Sequence, residues 1–120
     1  MTSGAALDPS VVDTLRQLTE DGQPDVLAEV LHLFLSDASA RMSAIEAAVT
    51  HRDAAALQRA AHAMKGASAT IGATALQGAC RRLEEMGKQQ HFGDADAALT
   101  AMRHEFERAR AAIEQLLGLL

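Results

Sequence analysis

Pro9 and Pro24 are the only prolines in the chain, so from residue 25 to residue 120 nothing forbids long helices. The apolar residues available to pack them are chiefly Ala, Leu and Met, with three Phe and neither Trp nor Tyr. Such a core suits closely packed helices better than sheets, which favour β-branched and aromatic residues.

Apolar periodicity divides the chain into five helices. Asp8 is placed to cap a short first helix opened by Pro9, with Val12, Leu15 and Leu18 on one side and the polar stretch 20–24 ending it. The second runs from about Pro24 to Thr50, where Leu27, Leu31, Phe34, Leu35, Ala38, Met42, Ile45 and Val49 recur every three or four residues. Asp53 caps a third over roughly 54–70, stopped near Gly72 by a residue able to turn left-handed. The fourth, about 73–86, carries Leu76, Ala79, Cys80, Leu83 and Met86 and ends at Gly87. The last, about 94–117, spaces Leu99, Met102, Phe106, Ala109, Ile113 and Leu116 as a bundle seam. The expected fold is all-α: an antiparallel up-and-down four-helix bundle with a short additional N-terminal helix capping one end.

A chain of 120 residues makes one domain; residues 8–120 are assigned to it and residues 1–7 to a flexible N-terminus. The formal net charge of -5 argues against nucleic-acid binding, which needs a basic stripe. Cys80 is the single cysteine, which precludes an internal disulfide and fits a reducing compartment. No run of about 18 apolar residues spans a bilayer and no start resembles a signal peptide. A cytoplasmic protein, or the cytoplasmic end of a larger one, is expected.

On a helical wheel of the third helix, Leu57, Ala61, Met64, Ser68 and Ile71 cluster on the core side. His62 lies opposite, with Ala55, Gln58, Arg59, Lys65, Gly66 and Ala69 on its side. Lys65 and Gly66 are its neighbours at i+3 and i+4. Glycine inside a helix costs about 1 kcal/mol relative to alanine. Either something must approach closely beside His62, or Gly66 marks a kink or simple drift. Neutral imidazole is a good nitrogen nucleophile near neutral pH, and a lysine one turn away offsets the charge of a phosphoryl group on it. His32, His51, His91 and His104 lack such neighbours and read as ordinary surface residues. Glu84 and Glu85 read as a solvated face, Lys88 as a solvated lysine, Cys80 and Ser68 as packing residues.

The stretch Ala61-His62-Ala63-Met64-Lys65-Gly66-Ala67-Ser68, followed by Ile71-Gly72-Ala73, Leu76, Cys80 and Leu83-Glu84, resembles the histidine-containing phosphotransfer (HPt) domain family. Its pattern is a helix bearing His-x-x-Lys-Gly, a Gly-Ala turn, and a second helix with Leu, Cys and Leu-Glu. Phe34-Leu35 and the long final helix extend the resemblance over nearly the whole chain. Ala67 stands where the family often has a serine, and Met64 where leucine is common, a mild core swap.

The resemblance implies a phosphorelay carrier of two-component signalling. His62 would take a phosphoryl group from a receiver-domain aspartate and pass it to another. Lys65 would stabilise the phosphoryl oxygens, Gly66 would permit docking, and Gln58, Arg59 and Ala69 would flank the docked receiver. It implies response-regulator receivers as partners, including those of a hybrid histidine kinase, with Mg²⁺ supplied by the receiver. No cofactor of its own, no metal site, no autokinase activity and a monomeric state are expected. The rival from another class is a helical adaptor that binds signalling domains without being phosphorylated. A kinase dimerisation segment would need an ATP-binding domain after it, and a metalloenzyme bundle would need paired Glu-x-x-His motifs, where only Glu29-x-x-His32 occurs.

Overall fold

The computed structural model describes residues 5–19 and 25–118. Five helices follow in order: α1 (Pro9–Gln17), α2 (Val26–Thr50), α3 (Ala54–Thr70), α4 (Thr74–Gln89) and α5 (Ala95–Leu116). Among the described residues there is no strand. Three helix starts share one device, an aspartate in extended conformation whose carboxylate accepts a backbone N–H of the first turn. Asp8 accepts from Ser10 at 2.9 Å, Asp25 from Ala28 at 3.1 Å and Asp53 from Ala56 at 3.0 Å. Asp25 rather than Pro24 therefore opens α2; Pro24 and the polar stretch 20–24 lie outside the described residues.

α2 to α5 pack as an antiparallel up-and-down bundle. α3 lies between α2 and α4, α5 closes on α4, and α2 meets α5 more loosely. The expected core faces are buried: Leu27, Leu31, Phe34, Ala38, Ile45 and Val49 of α2, Leu57, Ala61, Met64 and Ser68 of α3, and Leu76, Cys80, Leu83 and Met86 of α4. Met102, Ala109 and Ile113 complete the core from α5, and Phe106 stacks on Phe34 with ring centroids 6.3 Å apart. Two seam residues depart: Leu18 and Leu116 are exposed, each at a helix's last residues, where fewer neighbours remain to cover them.

Gly72 ends α3 as the sequence predicts. It sits at φ 74, its N–H bonds the Ala69 carbonyl at 3.1 Å, and that of Ala73 bonds Ser68 at 2.9 Å, the paired closure of a left-handed helix end. The Gly72 carbonyl accepts the Asp8 N–H at 2.7 Å. A Cβ on Gly72 would lie 2.8 Å from Val11 Cβ, so α1 docks directly on the α3–α4 turn. This docking buries Leu7 and Val12. Leu7, the last residue of the segment assigned to the N-terminus, is thus packed against the bundle; residues 1–4 lie outside the described residues.

Gly87 departs from its expected role. It does not end α4, which continues to Gln89 and closes through Gln90 in the left-handed conformation at φ 55. Gly87 is buried against the start of α3, where an added Cβ would lie 2.7 Å from the Gln58 nitrogen and 2.9 Å from the Ala54 carbonyl oxygen. The missing side chain serves helix approach rather than helix termination.

Candidate functional site

The close approach of α3 and α4 places the α4 residues just before Gly87 against the outward face of α3. His62 points away from the core, its side chain 69% exposed. Its Nδ1 lies 2.7 Å from Glu84 Oε2. The other carboxylate oxygen, Oε1, forms an ion pair with Lys65 Nζ at 2.5 Å. Glu84 itself is buried, at 4% exposure. The reading of Glu84 as part of a solvated face is thus overturned, while Glu85 beside it is exposed. A buried carboxylate must be paired or it takes up a proton, and here two groups on one turn of α3 pair it.

The Lys65 ammonium holds the Glu84 carboxyl below its ordinary range against the opposing effect of burial, and the His62 hydrogen bond adds to that. An ionised carboxylate accepts and does not donate. The proton in the His62–Glu84 bond is therefore on Nδ1. This fixes the ring's orientation and leaves Nε2 as the nitrogen directed outward.

Gln58, Arg59 and Lys88 line one open cleft with His62 and Glu84. Lys88 is exposed, lies within α4 and lines that cleft while keeping a 3.5 Å contact with Glu85. Gly66 and Ala69 continue the exposed face on the other side of His62. A Cβ on Gly66 would meet no atom within 4 Å, so no packing within this chain demands glycine there. Ala67 turns toward α2, where it borders a groove with Val30, Leu33, Phe34 and Ile71. The Leu33 side of that groove is open, the residue being 62% exposed.

His32, His51, His91 and His104 are exposed, and His51 bonds only its own helix, Nδ1 lying 2.8 Å from the Ala47 carbonyl oxygen. Among the described residues no cluster of His, Cys, Asp and Glu is arranged to hold a metal ion. No helix among them is long and apolar enough to cross a membrane. Ser68 donates to the Met64 carbonyl at 2.7 Å, and burial pushes the Cys80 thiol up to about 12; both are packing residues.

The structure is thus a helical bundle that displays one tethered imidazole beside a cation, with the ring's second nitrogen outward. The Hpt domain profile matches residues 29–112, and the chain belongs to that family. Histidine-containing phosphotransfer protein 5 of Arabidopsis thaliana is 25% identical over 108 residues, covering 88% of this chain and 69% of the relative. Protein 2 of the same plant is 24% identical over 108 residues. Among solved structures, histidine-containing phosphotransfer protein B of Pseudomonas aeruginosa superposes with a TM-score of 0.87 at 31% identity, over 98% of this chain and 99% of that one. The HPT domain of a Shewanella sensor hybrid histidine kinase has the same fold, with a TM-score of 0.76 at 21% identity over 97% of each chain. The function of this protein is histidine phosphotransfer in phosphorelay signalling.

Proposed function

We propose that His62 is the residue that carries the phosphoryl group, through Nε2, between the aspartates of receiver domains. The observation that carries this reading is the Nδ1–Glu84 bond, which leaves the outward nitrogen of an exposed ring as the nucleophile. In uptake, the Nε2 lone pair attacks phosphorus, the N–P bond forms, and the acyl phosphate P–O bond breaks to release the receiver's carboxylate. The ring gains positive charge as it does so, and its Nδ1–H already faces the Glu84 carboxylate. Delivery reverses these steps. Phosphoryl transfer depends mainly on alignment and charge stabilisation, so a rigid helix suffices on this side.

Lys65 supplies the cation for the phosphoryl oxygens: once the ring is cationic it claims Glu84, and the ammonium is released toward the new charge. Gly66, bare of side chain and open to solvent, lets the receiver backbone approach, and Gln58, Arg59 and Ala69 border the docked partner. Mg²⁺ comes with the receiver. The protein acts as a monomeric cytoplasmic carrier without autokinase activity, served by receivers of response regulators or of a hybrid kinase.

The test is transfer from a pre-phosphorylated receiver to wild type and to His62→Gln. Label on the wild type alone, stable to alkali and labile to acid, is the expected result. Equal labelling of both proteins, or tight receiver binding with no label on either, contradicts it; the latter result would make the chain an adaptor.

A further inference from the structure

The resting position of Lys65 has a consequence separate from any contact with phosphate. One carboxylate carries one negative charge, and two basic groups share it: the Lys65 ammonium on Oε1 at 2.5 Å and the His62 ring on Oε2 at 2.7 Å. The ammonium is the better sheltered of the two, its side chain 25% exposed against 69% for the ring. An imidazolium at His62 would set a second cation on an anion already neutralised. The other charged groups that line the cleft with the ring are Arg59 from α3 and Lys88 from α4, the latter 3.5 Å from the exposed Glu85 carboxylate. An imidazolium has no lone pair on Nε2 and cannot attack phosphorus.

We propose that Lys65 is a positioning residue that acts through Glu84: by neutralising the buried carboxylate it keeps His62 a neutral hydrogen-bond donor with its Nε2 lone pair available. Without the ammonium, Glu84 has a single partner left, and the ring completes the ion pair by taking a proton. The carboxylate that orients the nucleophile would then disable it at neutral pH. Lys65 lets one group orient the ring without trapping it in the protonated form. This inference draws its significance from the reading of His62 as the carrier, but its test does not depend on that reading.

The test is an NMR titration of the His62 imidazole nitrogens in the full chain, the His62 signals being those lost in His62→Gln. Wild type is compared with Lys65→Met, Lys65→Gln, Lys65→Arg, Glu84→Gln and the double variant Lys65→Met/Glu84→Gln. Both neutral replacements at Lys65 are expected to move the His62 titration to higher pH by about one unit, a tenfold gain in proton affinity. Lys65→Arg is expected to restore the wild-type midpoint. In the Glu84→Gln background the Lys65→Met change is expected to have little effect, because the anion that couples the two groups is gone. Unmoved or lowered midpoints in both neutral variants would overturn the proposal. So would a shift that persists without Glu84, which would assign the effect of Lys65 to direct repulsion across the site. Phosphoryl transfer to Lys65→Met should fall at pH 7 and recover as the pH is raised; a loss independent of pH would limit Lys65 to contact with phosphate. Failure of any label to reach His62 would refute the carrier reading and leave the titration result standing.

Discussion

Glu84 has two tasks at once, orienting His62 and neutralising Lys65, and it performs both from a buried position. Its carboxyl is held below the ordinary value of about 4.3, chiefly by Lys65, which ties it to stability as well as to chemistry. A group with a depressed folded-state value contributes stability that is fully present above its unfolded value and is lost as pH falls through the folded one. Wild type should therefore lose melting temperature on acidification below about pH 4.3 more steeply than Glu84→Gln, a difference thermal melts across that range would show. Coincident slopes would mean the pair contributes nothing. His62→Gln should leave stability within about 0.5 kcal/mol of wild type, since the ring is mostly exposed, while losing phosphoryl uptake. A larger loss in urea unfolding would contradict that. At Gly66 the open space where a side chain would project predicts that Gly66→Ala stabilises by about 0.5–1 kcal/mol. A bulky residue there should weaken receiver binding, and unchanged affinity by calorimetry would discard the close-approach role. The outward direction of His62 and the placing of Lys65 beside it are legible from helical spacing alone. Glu84 is misread because adjacent glutamates suggest a solvated face. The corrective signal is in the sequence: Glu84 follows Leu76 and Cys80 at successive i+4 steps, on the stripe that packs inward.

Between elements, the approach of α3 to α4 decides whether the site exists; Gly87 permits it, and Gln90 closes the helix that bears it. Gly87 has the backbone of Gln58 and Ala54 against the position a Cβ would take, while Gln90 bears the left-handed conformation that favours glycine. Gly87→Ala should destabilise by about 1–3 kcal/mol as the helices are forced apart, and should slow phosphoryl transfer because Glu84 is displaced from His62. Gln90→Gly should stabilise by about 1 kcal/mol by relieving left-handed strain. Chemical unfolding of the two variants reads both effects, and a Gly87→Ala variant as stable as wild type would contradict the close-approach role of Gly87. Helix number, type and most boundaries follow from capping aspartates, apolar spacing and the confinement of proline to the first 24 residues. The role of Gly87 is not legible in the same way, because a glycine near a helix end has two physical uses, termination and close approach. Only the neighbouring helix distinguishes them.

Across the described residues, the bundle separates an apolar interior from the face that bears His62 and Lys65. Burial pushes the Cys80 thiol up to about 12, so the protein should resist thiol-directed alkylation when native and react at a rate set by opening of the bundle. Rapid labelling of the folded protein would show that α4 is loosely packed. Arg59, Lys65 and Lys88 lie on the His62 face of a chain of net charge -5, Lys65 paired with Glu84 and Lys88 with Glu85. The up-and-down order of helices is readable from short connections, but the seating of α1 on the Gly72 turn is not. That contact joins residues far apart in sequence and leaves no periodic trace.

The chemistry proposed for the site turns on the phosphoryl group residing on Nε2 of His62. The most direct measurement is a ³¹P–¹⁵N correlation spectrum of the phosphorylated protein with its histidine rings labelled, the signal assigned by comparison with His62→Gln. A single N–P correlation through Nε2 of His62, with Nδ1 still carrying its proton to Glu84, is the predicted result. Phosphorus bonded to Nδ1, or to another histidine, would contradict it.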